Sequence, residues 1–264
     1  MHLPSLLSDV SAAVAAAGER IRTDFAAPAD IRHKGRIDLV TSTDLAVERM
    51  LSERLTDLLP GSSILGEETS GTAALDGPTW IVDPVDGTTN FVHGFPFVCT
   101  SVALYDGRDI VLGVVNAPVL GQCFTAARGL GAFCNDAPIS VSRVDSLESS
   151  LVATGFPYTV CEHLDEITGD MRAVLRATQG IRRPGSAALD LAFLAAGRVD
   201  AYYEIGLHPW DVAAGWLLVT EAGGRVGTYR PDGDYHLGDF RILATNGRLH
   251  GPMSELLAAA GGGA

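Results

Sequence analysis

The segment WIVDPVDGTTNF, residues 80–91, constrains the fold most, because an apolar run ends there in two carboxylates three positions apart. Trp80 to Val82 are typical of a strand that packs into a core, and Asp83 and Asp86 follow at its exit. Two like charges held this close repel each other unless a cation neutralises them. The segment therefore predicts a strand that ends at a divalent metal site. The alternative is that both acids only cap a turn rich in Asp and Gly.

The composition is that of a folded, acidic protein. With 264 residues, of which 47% are hydrophobic and 19% charged, the chain can bury a large core. The formal net charge is −13, and the sequence has no basic run interleaved with aromatic residues. We therefore expect no nucleic-acid partner and no membrane partner. A protein this acidic needs bound cations in order to bind a phosphate.

Two features bear on the cellular location. The first 25 residues have Ala-rich helical patterning that three acids interrupt, and no basic segment precedes an apolar block. They therefore predict neither a signal peptide nor a membrane span. The cysteines have no zinc or redox spacing, and we expect reduced, buried thiols at Cys99, Cys123, Cys134 and Cys161. The expected location is the cytoplasm.

Apolar patterns predict both helices and strands. Residues 42–61 predict an amphipathic helix that pairs with the N-terminal helix and stops at Pro60-Gly61. Residues 97–141 contain apolar runs separated by turn residues, which predicts antiparallel hairpins. After residue 150 helical and strand-like segments alternate, as in an α/β layer.

This change of pattern places a soft boundary near residue 145 within a single domain, 1–264. Residues 1–145 would form an α+β metal-binding half, and residues 146–264 an α/β half. Because no Pro- or Ser-rich linker separates the halves, we expect them to pack together.

The candidate metal ligands lie at the ends of predicted strands or at the start of a helix. They are Glu67, Asp83, Asp86, Asp211 and the carbonyl of Val85. Hard oxygen ligands gathered in this way are those that Mg²⁺ prefers. Asp211 follows Pro209 in the first turn of a predicted helix. There it serves either the helix dipole or a second metal ion, and spacing alone leaves both open.

Phosphate binding is predicted directly after the two aspartates. Gly87, Thr88 and Thr89 offer consecutive backbone N–H groups where a short helix begins, which is a suitable cradle for an anion. Metal ligands beside such a cradle predict a phosphate site.

Several other functions lack support in the sequence. The segment is similar to the Asp-x-Asp-Gly-Thr signature of aspartyl-phosphate phosphatases, but Val85 stands where the second acid belongs, which disfavours a covalent aspartyl route. RGLGAFCND has Cys134 in place of the third glycine of a dinucleotide fingerprint, so a hairpin explains it better. Neither a Gly-x-Ser-x-Gly elbow nor a His-x-x-x-His pair is present.

Five segments resemble the inositol monophosphatase family in order and spacing along nearly the whole chain. They are DLVTSTD (38–44), GEE (66–68), WIVDPVDGTTNFVHGFPF (80–97), GSAALDLAFLAAGRVDAYYE (185–204) and PWDVAAGWLLVTEAGG (209–224). The resemblance implies an α+β fold, a layered α-β-α-β-α sandwich. It also implies a homodimer that hydrolyses phosphate monoesters with Mg²⁺ and is inhibited by Li⁺.

The resemblance also assigns roles to residues of the metal site. Two to three Mg²⁺ ions are implied. Glu67, Asp83 and the Val85 carbonyl match the first-ion ligands, and Glu67 also matches a third, weaker ion. The second-ion ligands match Asp83, Asp86 and Asp211. The catalytic set is Asp44, Glu67 and Thr88, in which Asp44 and Thr88 orient and deprotonate the attacking water. Phosphate binding falls to Gly87 and Thr88.

For the organic part of the substrate, the matching positions lie mainly in the second half of the chain. They are Gly185, Ser186, Ala187 and Glu204, together with Asp86 and Asp211. Ser186 is equally explained as a helix N-cap. Glu204 ends an apolar strand, where its carboxylate can accept hydrogen bonds from vicinal hydroxyls of a polyol. The roles of Lys34 and Arg183 stay open.

The leading expectation is the hydrolysis of inositol 1-phosphate by a metal-activated water without a covalent intermediate. Alternatives in the same superfamily are histidinol phosphate, fructose 1,6-bisphosphate and adenosine bisphosphate as substrates. Thr89-Asn90 stands where histidinol-phosphate phosphatases tend to carry a lysine, which favours the inositol branch. Small residues between Glu68 and Trp80 predict a third-metal loop that is either mobile or differently built. A catalytically idle binding homologue is the alternative from another class.

Overall fold

The computed structural model describes residues 2–25, 30–35, 37–68 and 75–260, and these form five alternating layers. Two helices cover one face of a seven-stranded sheet, two more lie between it and a five-stranded sheet, and another two cover the far face. The α-β-α-β-α sandwich implied by the sequence resemblance is confirmed. No helix in these ranges has the length and apolar character that crossing a membrane requires.

The first layer consists of α1 (Leu3–Phe25) and α2 (Ser42–Leu58), which pack against each other as the sequence predicts. Between them in sequence lies a ribbon of β1 (Arg32–His33) and β2 (Leu39–Val40). Burial of an apolar stripe, rather than helix propensity, holds such helices in place. In α2 the buried stripe comprises Val47, Leu51 and Leu55.

The large sheet is built from consecutive strands, each paired with the next along the chain. Its strands are β3 (Ser63–Gly66), β4 (Pro78–Asp86), β5 (Cys99–Asp106), β6 (Ile110–Ala117), β7 (Gln122–Ala127), β8 (Gly131–Cys134) and β9 (Ala137–Ile139). The first pair is parallel and the others are antiparallel, which confirms the predicted hairpins. The short helix α3 (Thr88–Val92) follows β4 where the sequence places it.

Strand β4 runs further than the sequence predicts. The sequence predicts a strand that ends at Val82, with Asp83 and Asp86 at its exit, yet β4 continues to Asp86. Its register with β5 shifts between Asp83 and Asp86, and such a bulge tolerates a proline, which has no N–H for the ladder. The Thr100 hydroxyl donates to the Pro84 carbonyl at 2.9 Å and fixes the bulge.

The second half of the chain forms the smaller sheet and the helices on both of its faces. The strand order is β11-β10-β12-β14-β13. The strands are β10 (Leu151–Thr154), β11 (Gly180–Arg182), β12 (Ala201–Ile205), β13 (Arg225–Gly227) and β14 (Arg241–Thr245). Helices α4 (Leu164–Ala177) and α7 (His250–Ala260) pack together on the outer face.

The middle layer consists of α5 (Ala187–Ala195) and α6 (Pro209–Glu221), which are buried nearly all round. Both come from the second half of the chain, but they also cover the inner face of the large sheet, so the two halves share a core. The chain changes sheet between Ile139 and Leu151. The predicted soft boundary near residue 145 lies within this connecting segment. The division of the chain into two halves at that point stays a prediction.

The cysteines differ in burial. Cys99 is buried, Cys123 and Cys134 are half-buried, and Cys161 is exposed. The expectation of buried thiols is therefore wrong for Cys161, which lies in the short 3₁₀ helix Val160–Glu162 before α4 and is exposed there.

The contact of α6 with the large sheet depends on a glycine in β6. A Cβ at Gly113 would lie 2.9 Å from the carbonyl oxygen of Ala214 and 3.1 Å from its Cα. These are backbone atoms of α6 and cannot rotate away. A side chain at position 113 would therefore push the helix off the sheet.

Gly113→Ala should lower the free energy of unfolding by about 1–3 kcal/mol, as overpacking of a core does. Urea-induced unfolding measures the change. Gly251→Ala serves as the control, because a Cβ there would meet nothing within 4 Å, and it should cause no loss. If Gly113→Ala were as stable as the wild type, the close contact would be wrong.

Candidate active site

A cavity of about 520 Å³ opens where the ends of β3 and β4 meet the N-termini of α3, α5 and α6. Apart from Asp44, every site residue predicted from sequence lines it. The lining members are Glu67, Asp83, Val85, Asp86, Gly87, Thr88, Gly185, Ser186, Ala187, Glu204 and Asp211. Asp44 lies next to the lining and bonds to Thr88. The cavity thus combines helix N-termini, which attract anions, with carboxylates, which attract cations.

Asp44 and Thr88 form a buried pair. Asp44 Oδ2 accepts a hydrogen bond from the backbone N–H of Thr41 at 2.9 Å and another from the Thr41 hydroxyl. Its Oδ1 lies 3.0 Å from the Thr88 hydroxyl, which is also 2.9 Å from the Val85 carbonyl oxygen. Burial raises the pKa of Asp44, against the hydrogen bonds from Thr41. Asp44 is therefore both the capping acid of α2 and the partner of Thr88.

Mutual repulsion dominates the electrostatics at the end of β4. Burial raises the pKa of Asp83 and of Asp211 well above the usual range, and the charges of neighbouring carboxylates raise both further. Burial also raises the pKa of Asp86 to about 7, against the hydrogen bonds that this side chain accepts. Such a cluster binds protons or cations tightly.

Asp86 and Asp211 are tied to helix N-termini. Asp86 Oδ2 accepts hydrogen bonds from the Ser186 hydroxyl and the Ala188 N–H, both at 2.7 Å. The Ser186 hydroxyl also caps α5. Asp211 Oδ2 accepts from the His208 N–H at 2.7 Å and caps α6. A structural role at a helix N-terminus, as an N-cap for Ser186 and in the first turn for Asp211, is thus combined with a place in the cavity.

Lys34, whose role the sequence left open, neutralises part of this cluster. Its Nζ lies 2.9 Å from Glu67 Oε1 and 2.6 Å from Glu68 Oε1. Burial acts to lower the pKa of the Lys34 amine, but both carboxylates outweigh it and hold this pKa above its usual value. The ammonium group therefore stands where a cation is required. The predicted third-metal loop lies largely in residues 69–74, outside the described residues.

The residues present suit a hard divalent cation. Asp83 Oδ1 is buried and has no hydrogen-bond partner in the described part of the chain, and every donor in the cluster is an oxygen. Within those same ranges, no three acidic, His or Cys side chains stand as a ready ligand set for one ion. The donor atoms are suitable but not yet gathered around one point, because Glu67 is turned to Lys34 and Asp86 to Ser186. The chemistry fits, and binding requires these side chains to reorient.

The opposite wall of the cavity carries Glu204, at the end of β12. Its carboxylate is buried and accepts a hydrogen bond from the Tyr202 hydroxyl. Burial raises the pKa of Glu204 to about 7, while the Tyr202 hydrogen bond and the charge of Arg183 oppose the rise. The Arg183 guanidinium lies 4.9 Å from the ring centre of Phe156. Both of these residues line the cavity too.

A glycine makes room for the Glu204 carboxylate. A Cβ at Gly155, just after β10, would lie 2.1 Å from Glu204 Oε2 and 2.4 Å from its Cδ. The backbone of Gly155 is outside the left-handed region, so only space demands glycine here. The position of Glu204 therefore depends on the absence of a side chain at 155.

Sequence reasoning missed several residues that line the cavity: Asp38, Asn90, Tyr158, Asp190 and His208. Asn90 Nδ2 lies within hydrogen-bond distance of the Phe97 and Pro184 carbonyls, at 2.8 and 2.9 Å, and so joins α3 to the turn before α5. Asn90 lies in GTTN and Asp38 begins DLVTSTD, so both positions fall within segments that the sequence already singles out. Asp190 lies within GSAALD, where a first-turn acid is ordinary.

The five-layer fold and this cavity suit a hydrolase that binds an anionic ester together with cations. A profile of the inositol monophosphatase family matches residues 4–261. The inositol-1-monophosphatase of Synechocystis sp. is 42% identical over 259 residues, covering 97% of this chain and 90% of that protein. Inositol monophosphatase 1 of Homo sapiens is 40% identical over 222 residues, with coverage of 81% and 79%.

Solved structures agree with the sequence comparison. Inositol monophosphatase from Anabaena (Nostoc) sp. superposes with a TM-score of 0.89 at 38% identity, covering 98% of both chains. The extragenic suppressor protein suhB from Bartonella henselae gives 0.90 at 37% identity, covering 96% of this chain and 98% of that chain. The chain belongs to the inositol monophosphatase family, as its motifs predict. It is accordingly a phosphoric monoester hydrolase.

Without divalent cations, the stability of the enzyme should fall as the pH rises from about 4 to about 7. Asp86 and Glu204 both have a folded-state pKa of about 7, above the usual carboxyl range. The folded state therefore binds more protons than the unfolded state in this pH interval. The loss of stability is complete above about pH 7. Each group contributes on the order of a few kcal/mol.

Thermal unfolding in a chelator, compared between about pH 5 and pH 8, tests this dependence. Added Mg²⁺ should stabilise more at the higher pH, because it competes with protons for the same oxygens. Asp86→Asn should flatten the profile. A melting temperature that rises with pH in the chelator would contradict the assignment.

Proposed function

We propose that this enzyme hydrolyses inositol 1-phosphate to myo-inositol and phosphate, in a Mg²⁺-dependent reaction without a covalent intermediate. The observation that carries the proposal is one cavity that joins the Asp44–Thr88 pair and the carboxylate cluster to the Glu204 wall. Histidinol phosphate, fructose 1,6-bisphosphate and adenosine 3′,5′-bisphosphate are alternative substrates for the same machinery. An idle homologue is disfavoured, since no acid of the predicted set is missing.

The residues that would hold two to three Mg²⁺ ions are Glu67, Asp83, Asp86, Asp211 and the carbonyl of Val85. When bound, Mg²⁺ supplies positive charge that stabilises the phosphoryl oxygens and makes nearby water more acidic. Glu67 now forms an ion pair with Lys34, with 2.9 Å between Oε1 and Nζ. It would have to leave this ion pair in order to bind the metal ion. Gly87 and Thr88, at the start of α3, would direct backbone N–H groups to the phosphate.

Asp44 and Thr88 would position and deprotonate the attacking water. The Thr88 hydroxyl can donate to Asp44 Oδ1, which leaves the Thr88 oxygen to accept a hydrogen bond from the water. As the water oxygen bonds to phosphorus, the Thr88 oxygen takes the proton of the water and the Thr88 hydroxyl proton passes to Asp44, whose raised pKa suits a base. The ester bond breaks on the opposite side, and the leaving alkoxide takes a proton from solvent.

The organic part of the substrate would bind at the Glu204 wall and at the start of α5. Glu204 would accept hydrogen bonds from polyol hydroxyls, and Gly185, Ser186 and Ala187 would line the path to it. Asp86 and Asp211 line the same cavity. Inhibition by Li⁺ and a homodimer are further expectations that rest on the family resemblance alone, and the cytoplasmic location stays an expectation from the sequence patterns.

The first experiment measures phosphate release with Mg²⁺, with and without Li⁺, from the four esters named above. A kcat/KM preference for inositol 1-phosphate is the expected result. Asp86→Asn should remove most of the Mg²⁺-dependent turnover, because it withdraws a carboxylate from the cluster. Preference for another ester would move the proposal to that substrate, and the absence of release from every ester would favour the idle homologue.

Asp44→Asn should lower kcat by about 10²–10⁴-fold, because the base is lost, and leave KM within a few-fold. The amide keeps the shape of the side chain and one acceptor oxygen. Thr88→Ser is the matched control, since it keeps the hydroxyl, and it should retain most of the activity. Steady-state kinetics with saturating Mg²⁺ measure both. A fall in kcat of less than about tenfold would remove Asp44 from the role of base.

Gly155→Ala should raise KM for inositol 1-phosphate by about tenfold, because the added methyl group displaces the Glu204 carboxylate. Glu204→Gln should act in the same direction, and the two changes should add little to each other. Gly251→Ala serves again as the control. If the two variants combined with fully additive losses, position 155 would not act through Glu204.

A further inference from the structure

The wall around Glu204 contains a second acid that the proposed function does not use. Asp190 lies in α5, in the middle layer of the fold, and its side chain is only 2% exposed. It nevertheless lines the same cavity as Glu204 and Arg183. Its Oδ2 atom has no hydrogen-bond partner in the described part of the chain.

The ordinary role of an acid in a first helical turn does not account for this placement. An acid there stabilises the helix dipole while its charge remains in water. Asp190 is buried instead, and burial of a carboxyl group without a partner is costly. Ser186 already caps the helix. A buried polar group with a missing partner, in the wall of a binding cavity, indicates that a ligand supplies the partner.

The surroundings of Asp190 indicate which kind of ligand. Burial raises the pKa of its carboxyl group well above the usual range, the charges of Glu204 and Asp86 raise it further, and Arg183 opposes them. The Tyr202 hydroxyl donates a hydrogen bond to Glu204. Two carboxyl groups on one wall offer several acceptor oxygens, which suits a group that carries several hydroxyl donors.

We propose that Asp190 is a specificity-determining residue that accepts a hydrogen bond from a hydroxyl of a polyol phosphate, beside the one that Glu204 accepts. The inference rests on the proposed function and deepens it, because Glu204 and Asp190 would then both recognise the organic part of the substrate. The terminal torsion of an aspartate is soft, so the carboxyl group can turn either oxygen to the cavity. A substrate without hydroxyls cannot supply the missing partner.

The test compares inositol 1-phosphate with p-nitrophenyl phosphate, whose ring carries no hydroxyl. Asp190→Ala should raise KM for inositol 1-phosphate by about tenfold, and the loss of kcat/KM should be at least about fivefold greater than for p-nitrophenyl phosphate. Asp190→Asn keeps an acceptor oxygen and should recover most of the loss. Equal losses for both esters, or no loss for inositol 1-phosphate, would overturn the proposal.

Asp170→Ala is the matched control. Asp170 is also 2% exposed and also has an oxygen without a partner among the residues that the structure describes, but it lies in α4 in the outer layer and does not line the cavity. Its loss should leave the ratio of the two esters unchanged. A change of the ratio as large as that in Asp190→Ala would show that any buried acid has this effect, and would overturn the proposal.

Two further measurements separate this inference from the proposed function. Wild-type turnover without a preference for inositol 1-phosphate would overturn the proposed substrate. The Asp190 comparison would then use glycerol 2-phosphate instead of inositol 1-phosphate, again against p-nitrophenyl phosphate. If Asp190→Ala left the ratio of kcat/KM for these two esters unchanged, the role of Asp190 would be overturned. Calorimetric titration of myo-inositol into enzyme saturated with Mg²⁺ and inorganic phosphate needs no turnover. There Asp190→Ala should weaken binding about tenfold, and equal affinity would refute the role.

Discussion

The repulsion among buried carboxylates at the end of β4 is the constraint on which the rest of the structure depends. One buried oxygen of Asp83 has no hydrogen-bond partner among the described residues, and burial together with the neighbouring charges raises the pKa of this carboxyl group. A fold tolerates such a cluster only if its other parts hold it together. The bulge at Pro84 and the N-termini of α5 and α6 provide that support, through the bonds to Asp86 and Asp211. The layers thus serve to hold together groups that repel each other.

Part of this arrangement follows from sequence alone, and the rest does not. Acids at the exits of apolar runs predicted the cluster, because strand ends are local features. The β4 bulge was missed because proline normally indicates a turn, whereas pairing with β5 decided the outcome. Asp44 and Thr88 are 44 positions apart, and no local pattern joins them; only the family motifs did. Asp190 looked ordinary because burial is a tertiary property that a first-turn acid does not reveal.

The two ends of the cavity use the same kind of group for different tasks. At the end of β4 the carboxylates are close together and suit cations. Around Glu204 they have Arg183 and Tyr202 as neighbours and suit hydroxyl donors. At the end near β4, the ammonium group of Lys34 already supplies a positive charge beside Glu67. The identity of the neighbours, rather than of the acids, therefore distinguishes the phosphate end of the site from the organic end.

The position of α5 and α6 between the two sheets has a consequence for how the site comes into being. Asp44, Asp86 and Asp211 are far apart along the chain, and the last of them arrives on a helix that covers the sheet formed by the first half. Contacts between such distant segments carry a high loop-closure cost and form late. A nascent chain that has emerged only as far as the large sheet therefore exposes an uncovered apolar face together with an incomplete acidic cluster. Aggregation during synthesis, rather than loss of a single contact, is the specific risk of this architecture.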